Sequence, residues 1–246
     1  MDITVLPSVN EARADELVNK TVIVIDVLRA TSTILTALAY GCKAIYPVET
    51  VLQAKQLYQP GYILGGERAC KKIPGFDLGN SPLEYTDASI AGKTLIMTTT
   101  NGTRAIQKAG KAGTILAASL LNGKACAEEA LSLRKDIVIL CSGTQDVYSF
   151  EDGVCAGQLV DELLNATGEY RTELSINDFG LSMLHAYRHV QHNLTEALLQ
   201  CSNGKRLCKL GFLEDIKYCS QMNTIPLVPI VREGKLVVST VSQHST

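Results

Sequence analysis

The sequence has no tryptophan, few aromatic residues and no C-x-x-C pair. An aromatic content of 5% argues against a stacking surface for nucleic acid bases. The formal net charge of −2 gives no general attraction to nucleic acid or to acidic membranes. The eight cysteines lack short paired spacings, so we expect buried free thiols and neither disulfides nor a structural zinc. The low aromatic content and the net charge together predict no nucleic-acid partner.

Long apolar segments are also missing, and the longest runs are too short to cross a bilayer. The first residues, MDITVLPSVNEARADEL, do not combine a basic region with an apolar core, so no secretory signal is expected. We predict a cytoplasmic protein that does not engage a membrane. Its 246 residues suffice for one large α/β domain or two small ones.

The chain instead contains a pattern of strand, polar strand end and helix, which occurs as IVIDVLRATST, LIMTTTNGT and IVILCSGTQDVYSFEDG. This alternation predicts an α/β fold with a largely parallel sheet flanked by helices, and ligands collect where such strands end. Residues 226–231 and 235–240 predict a C-terminal β-hairpin that covers a sheet edge or contacts a second chain. We assign an α/β core with most site loops to residues 1–167, and a helical segment with the hairpin, packed on that core, to 168–246.

Acidic residues occupy three of the predicted strand ends. Asp26 alone could cap a helix or pair with Arg29, but Glu67 and the pair Glu151 and Asp152 occupy similar positions elsewhere. Carboxylates that converge from separate strands suit Mg²⁺ with retained waters. The metal candidates are thus Asp26, Glu67, Glu151 and Asp152, and the catalytic candidates are Asp26, Arg29, Glu67 and Asp152.

Hydroxyl and glycine residues lie beside these acids. The sequence TTTNGT (98–103) could be an ordinary turn, but it offers hydroxyls, a glycine and free helix N–H groups as a phosphate cradle. Arg29 and Arg68 lie beside the strand-end acids, and this position favours their interpretation as anion clamps, because a guanidinium can bind two oxygens at once. Thr31, Ser32 or Thr33 could cap the following helix. The substrate-binding candidates are Thr31, Ser32, Arg68, Thr99, Asn101, Gly102, Thr103, Ser142 and Gly143.

Two covalent phosphatase mechanisms fit the sequence poorly. A cysteine phosphatase loop at Cys141 requires an arginine six positions later, where the chain has Val147. An aspartyl-phosphate mechanism of the haloacid dehalogenase type requires a second aspartate two positions after Asp26, where Leu28 stands. We therefore prefer the interpretation of Asp26 as a metal ligand over its interpretation as a covalent nucleophile.

Six strings occur in the same order as in a known family: DVLRATSTI, GGER, GFDLGNSP, TTTNGT, CSG and EDGVCAG. Over roughly residues 24–164 the chain resembles the 2-phosphosulfolactate phosphatases. This resemblance implies a three-layer α/β/α fold peculiar to the family. It also implies Mg²⁺-dependent hydrolysis of 2-phosphosulfolactate to sulfolactate and phosphate, a step of coenzyme M biosynthesis in archaea.

The resulting hypothesis is a Mg²⁺-dependent phosphatase for a small anionic phosphomonoester. Arg29, Thr31, Ser32 and the 99–103 loop would hold the phosphoryl oxygens. Arg68, with Ser142 and Gly143, would hold the carboxylate or sulfonate end. A metal-dependent lyase or phosphotransferase on the same scaffold is an alternative, as is a non-catalytic phosphometabolite-binding protein. A homo-oligomer formed through the hairpin is a further expectation.

Overall fold

The computed structural model of the protein describes residues 1–168 and 174–239. Within these ranges eleven strands form one sheet, with nine helices around it. The strands are β1 (Asp2–Leu6), β2 (Thr21–Ile25), β3 (Ala44–Pro47), β4 (Ile63–Arg68), β5 (Lys71–Lys72), β6 (Thr94–Thr98), β7 (Thr114–Ala118), β8 (Ile137–Cys141), β9 (Ser175–Ile176), β10 (Pro229–Arg232) and β11 (Lys235–Val238). The helices are α1 (Ala30–Ala39), α2 (Val51–Leu57), α3 (Gly102–Lys108), α4 (Gly123–Ser132), α5 (Phe150–Ala166), α6 (Asp178–Val190), α7 (Leu194–Gln200), α8 (Ser202–Lys209) and α9 (Leu213–Cys219). None of these helices has the length and apolar character needed to cross a membrane.

The sheet consists of two mainly parallel blocks joined by the C-terminal hairpin. Its strand order is β5-β4-β6-β3-β11-β10-β7-β2-β8-β1-β9. The prediction that the hairpin covers an edge is wrong, because Ile230 pairs with Leu116 on one side and Leu236 pairs with Ile45 on the other. The predicted last residue of the hairpin, Thr240, lies outside the described residues.

The hairpin also fixes the relative direction of the two blocks. The junctions β7–β10, β10–β11 and β11–β3 are all antiparallel, so the blocks run in opposite directions along the sheet. Sheet twist, roughly 20–25° per strand, accumulates across these junctions and rotates one block against the other. Helix α3 contacts both β2 and β3 and so joins the two blocks.

Side chains on β2 point alternately to the two faces of the sheet, and helices cover both faces, which gives three layers. Val22 and Val24 pack in one apolar cluster with side chains from α1 and α3. Ile23 and Ile25 face the opposite way and pack with side chains from α4, α5 and α6. All five residues of β2 are buried, as expected for a central parallel strand with helices on both faces. Together with the strand order given above, this confirms the predicted α/β fold with a largely parallel sheet, flanking helices and a C-terminal hairpin.

The start of α1 differs from the predicted one. The helix begins at Ala30, and Thr31 and Ser32 lie within its first turn instead of capping it. Asp26 caps this end instead, because its Oδ1 accepts the Ala30 N–H at 3.2 Å. The strand-end carboxylate is thereby fixed at the positive end of a ten-residue helix, where a negative charge is favoured.

Candidate active site

A cavity of about 290 Å³ lies beyond the ends of the strands, with α8 forming part of its wall. It contains five of the residues predicted from the sequence: Asp26, Arg29, Glu67, Arg68 and Asn101. Asp26 and Arg29 come from the loop after β2, Glu67 and Arg68 from the end of β4, and Asn101 from the loop after β6. The two blocks of the sheet therefore contribute to one site.

Asp26 is a buried carboxylate on the cavity wall, with 7% of the residue exposed. Burial raises its pKa from 3.8 to about 7, with Glu67 and Glu151 adding repulsion, while the N–H groups of Ala30 and Gly102 oppose the shift. A Cβ at Gly102 would meet Asp26 Oδ2 at 2.7 Å and the Ala30 Cβ at 2.5 Å. Gly102, predicted to bind substrate, is thus required for the close packing around Asp26.

Glu67 is held in place by neighbouring loops. Its Oε1 accepts the Thr100 N–H at 2.8 Å and the Thr100 hydroxyl at 2.9 Å, and its Oε2 accepts the Cys70 N–H at 2.7 Å. Each carboxylate oxygen has more than one lone-pair direction, so these bonds orient Glu67 without exhausting it as a ligand.

Arg29 is almost completely buried at the base of the cavity. Its Nη1 donates to Asp215 Oδ2 at 2.5 Å, its Nη2 donates to the Cys70 carbonyl at 3.1 Å, and its guanidinium lies 4.3 Å from the centre of the Phe212 ring. Asp215 accepts a second bond, at 2.6 Å, from the Ser81 hydroxyl. A guanidinium has five N–H donors, so Arg29 retains donors for a ligand while its charge is balanced.

Arg68 lines the cavity, but its guanidinium also donates hydrogen bonds to protein acceptors. Its Nη1 donates to the Glu67 carbonyl at 2.6 Å. Its Nη2 donates to the Glu49 carbonyl and to the Thr98 hydroxyl, both at 2.9 Å. These bonds join the end of β4 to neighbouring chain segments, and Arg68 also lines the cavity, so its role as an anion clamp stays a prediction.

Asp152 lies behind the cavity wall. Its Oδ1 accepts the Val27 N–H at 2.9 Å and its Oδ2 accepts the Gly143 N–H at 3.0 Å. Burial raises the pKa of Asp152 well above its usual value, and repulsion from Glu151 and Asp26 adds to this. The structure thus places Asp152 where it ties together the loops after β2 and β8.

Glu151, the other predicted metal ligand of this pair, faces a different space. It lines a second cavity, of about 710 Å³, and its Oε1 accepts Asn203 Nδ2 at 2.6 Å. Asn203 also donates to the Thr144 hydroxyl at 2.7 Å. Since Thr144 and Asn203 line both cavities, they form the partition between them.

The predicted hydroxyl ligands mostly bond to their own loops. Thr31 Oγ1 bonds to the Asp26 carbonyl at 2.9 Å, and Ser32 Oγ donates to the Val27 carbonyl at 2.8 Å. Thr99 and Thr103 each accept the other's backbone N–H at 3.1 Å. None of these four hydroxyl residues lines the cavity.

The two predicted ligands after β8 are likewise internal. The Ser142 N–H donates to the Ile25 carbonyl at 2.8 Å, and within residues 1–168 and 174–239 its buried hydroxyl has no hydrogen-bond partner. The Gly143 N–H is the donor already described for Asp152. Both residues stabilise the contact between the β2 and β8 loops and do not line the cavity.

Several cavity residues were not among the predicted ones. Asn80 lies within GFDLGNSP and Thr144 directly follows CSG, so the family resemblance marked their loops, but neither residue was named as a site residue. Asn203 and Arg206 come from α8, which has no counterpart among the predicted elements. The only local signal there is a three-residue spacing that places both on one helix face.

The cavity offers oxygen ligands of the kind that Mg²⁺ prefers. In the described part of the chain, no group of three or more His, Cys, Asp or Glu side chains comes together as a metal site. Asp26 and Glu67 nevertheless share the wall with Asn80, whose buried Oδ1 has no hydrogen-bond partner among those same residues. Mg²⁺ is commonly held by one or two carboxylates, with waters and substrate phosphate completing its shell, so this donor set fits the ion.

Comparison with known proteins identifies the family of the chain. The family profile described as 2-phosphosulpholactate phosphatase matches residues 7–234. A protein of Symbiobacterium thermophilum named "Probable 2-phosphosulfolactate phosphatase" is 40% identical over 234 residues, covering 94% of this chain and 99% of its own. Proteins of the same name from Clostridium tetani and Carboxydothermus hydrogenoformans are 38% and 42% identical, covering 95% and 89% of this chain and 99% and 90% of their own. The chain belongs to the 2-phosphosulpholactate phosphatase family.

Proposed function

We propose that this protein is a Mg²⁺-dependent phosphatase that hydrolyses 2-phosphosulfolactate, or a similar small anionic phosphomonoester, to the alcohol and phosphate. The observation that carries the proposal is one cavity in which Asp26 and Glu67 face the same space as Arg29, in a member of this family. Its volume of about 290 Å³ suits a small substrate. A cytoplasmic location, a place in coenzyme M biosynthesis and homo-oligomer formation stay predictions.

Asp26 and Glu67 would hold the ion, with the Asn80 amide oxygen beside them. Bound Mg²⁺ would offset phosphate charge and lower the pKa of a coordinated water. The backbone N–H bonds to both carboxylates keep them oriented before substrate arrives, which reduces the reorganisation needed during reaction. Asp152 would act indirectly, by holding the loop that carries Asp26.

Arg29 is the donor best placed for the phosphoryl group. Its ion pair with Asp215 and its contact with Phe212 fix the guanidinium plane, so its remaining N–H groups point in defined directions. Planar, bidentate donors match the oxygens of a phosphoryl group and stabilise charge that moves onto them in the transition state. Asn101, at the start of α3, offers a further polar side chain to the same space.

Product analysis with purified protein tests this function. Incubation with 2-phosphosulfolactate and Mg²⁺ is expected to release phosphate and sulfolactate in equal amounts, and a chelator should stop the reaction until Mg²⁺ is restored. Phosphate transfer to an added alcohol would indicate a phosphotransferase, and an unsaturated product would indicate a lyase. Tight substrate binding by calorimetry without any turnover would indicate a binding protein and contradict the proposal.

A further inference from the structure

Arg206 is a third arginine on the cavity wall, and its environment differs from that of Arg29 and Arg68. It lies on α8, and the residue is exposed. Among residues 1–168 and 174–239, its guanidinium makes no hydrogen bond or ion pair. Arg29 and Arg68, in contrast, already donate to protein acceptors. Arg29 keeps only part of its donors for a ligand, whereas the Arg206 guanidinium donates to no protein acceptor in the described part of the chain and has all of its donors available.

A groove of basic residues continues from the cavity at this point. Arg206 and Ala69 line both spaces, and the groove adds Lys71, Lys205 and Lys209. No acidic side chain lines the groove in the described part of the chain. Four cations thus gather here on a protein whose 23 basic residues are outnumbered by 25 acidic ones. Such a concentration of one charge attracts anions toward the cavity mouth.

Arg206 also shares one small cavity with the two carboxylates. It lines the same space as Asp26, Glu67 and Cys70. The Cys70 N–H donates to Glu67, one of the two carboxylates proposed to hold the ion. A substrate of three carbon atoms can therefore extend from the carboxylates toward α8 within one small cavity.

We propose that Arg206 binds the second anionic group of the substrate, a carboxylate or sulfonate, and that it sets specificity for phosphomonoesters that carry such a group. This role rests on the proposed phosphatase function and deepens it. It replaces Arg68, which the sequence indicated for this task. Lys71, Lys205 and Lys209 act at longer range and raise the local concentration of the anion.

Arg206→Gln tests the assignment with three substrates: 2-phosphosulfolactate, 2-phospholactate and 4-nitrophenyl phosphate. The second substrate lacks the sulfonate, and the third has no anionic group besides the phosphate. We expect kcat/KM for 2-phosphosulfolactate to fall about 10- to 100-fold, the usual range for losing a charge-assisted hydrogen bond. With 4-nitrophenyl phosphate the change should stay below about twofold, because the lost contact is not used.

The intermediate substrate identifies which anion is bound. An equal loss with 2-phospholactate and 2-phosphosulfolactate assigns the carboxylate to Arg206, and a loss confined to 2-phosphosulfolactate assigns the sulfonate. A loss that extends equally to 4-nitrophenyl phosphate would overturn the proposal, as would no loss with any substrate. Arg206→Lys should restore part of the activity, since it keeps the charge but not the planar fork. Arg134→Gln, an exposed arginine after α4, is the matched control.

A binding experiment separates this inference from the phosphatase assignment. If the wild-type protein releases phosphate from none of the three esters, the proposed function fails. Calorimetry with sulfolactate then tests Arg206 alone. Binding by the wild type that weakens about tenfold or more in Arg206→Gln supports the anion site, and equal binding by both proteins overturns it.

Discussion

The two walls of the cavity are built differently. The wall formed by the strand ends carries buried carboxylates that accept backbone N–H groups, as Asp26 does from α1 and Glu67 from the loop after β4. The wall formed by α8 carries Arg206, which is exposed and extends from a short helix. One wall is therefore rigid and organised before substrate binds, whereas the other offers a charge on a flexible side chain.

Under the proposed function, this difference would match two chemical tasks. Groups that act on the reacting phosphorus must keep their positions, because misplacement of a fraction of an ångström lowers the rate. A group that recognises a distant anion can adjust, and an exposed arginine avoids the cost of burying an unpaired charge. Arg29 belongs to the rigid wall although it is a cation, because Asp215 from α9 balances its charge.

Asp26→Asn should produce the largest effect on the rigid wall. The amide can still accept the Ala30 N–H, so the fold should persist, but the negative charge next to Glu67 is lost. We expect kcat/KM to fall about 1,000-fold or more, which corresponds to roughly 4 kcal/mol of transition-state stabilisation. Phosphate release and circular dichroism measure the two properties, with the exposed Asp15→Asn as control. Unchanged phosphate release from Asp26→Asn would remove Asp26 from the mechanism.

Asp215→Ala addresses the link between the C-terminal helices and the rigid wall. Removing this carboxylate leaves the Arg29 charge buried without its partner, which we expect to lower the free energy of unfolding by about 3 kcal/mol. Lys217→Gln on the same helix breaks an exposed pair with Glu214 and should cost less than about 0.5 kcal/mol. Denaturant unfolding compares the two variants. Equal stability of both would mean that the buried pair contributes no more than the surface one.

The sequence identified the rigid wall better than the flexible one. A polar residue after an apolar run, such as Asp26 after β2, marks the end of a strand, and this local pattern located the acids. The local pattern could not assign the roles of these acids, because a role depends on contacts with other loops. Asp152, for example, accepts the N–H groups of Val27 and Gly143, which lie on the loops after β2 and β8. No local pattern marked Arg206, because the sequence does not distinguish an arginine that lines a cavity from any other exposed arginine on a short helix.

The same limit explains the part of the fold that was predicted wrongly. The hairpin was recognised from two apolar runs around Glu233 and Gly234, which is local information. Its place between β3 and β7 depends on pairs such as Ile230 with Leu116, which are far apart in the sequence. Every strand in this region is apolar, so composition does not distinguish an interior neighbour from an edge.

Arg68→Met should have a moderate effect, and chiefly on stability. Its guanidinium holds the carbonyls of Glu67 and Glu49, so its loss should lower the free energy of unfolding by about 1.5 kcal/mol. KM for 2-phosphosulfolactate should change less than about threefold, because Arg206 supplies the anion contact. Thermal unfolding and steady-state kinetics test both expectations. If KM instead rises more than about tenfold in a variant as stable as the wild type, Arg68 binds the second anionic group of the substrate, as the sequence predicted.

Thr31→Val should have the smallest effect, although the sequence indicated a phosphate ligand at this position. The Thr31 hydroxyl is fully buried and bonds to the backbone of Asp26, so it supports the rigid wall from inside. We expect the free energy of unfolding to fall by about 1 kcal/mol and kcat/KM to fall less than about tenfold, with Thr31→Ser close to the wild type in both. Chemical denaturation and phosphate release measure these quantities. If Thr31 instead contacts the phosphoryl group, Thr31→Val will lose activity about 100-fold at nearly unchanged stability, because a contact made in the transition state affects kcat and not folding.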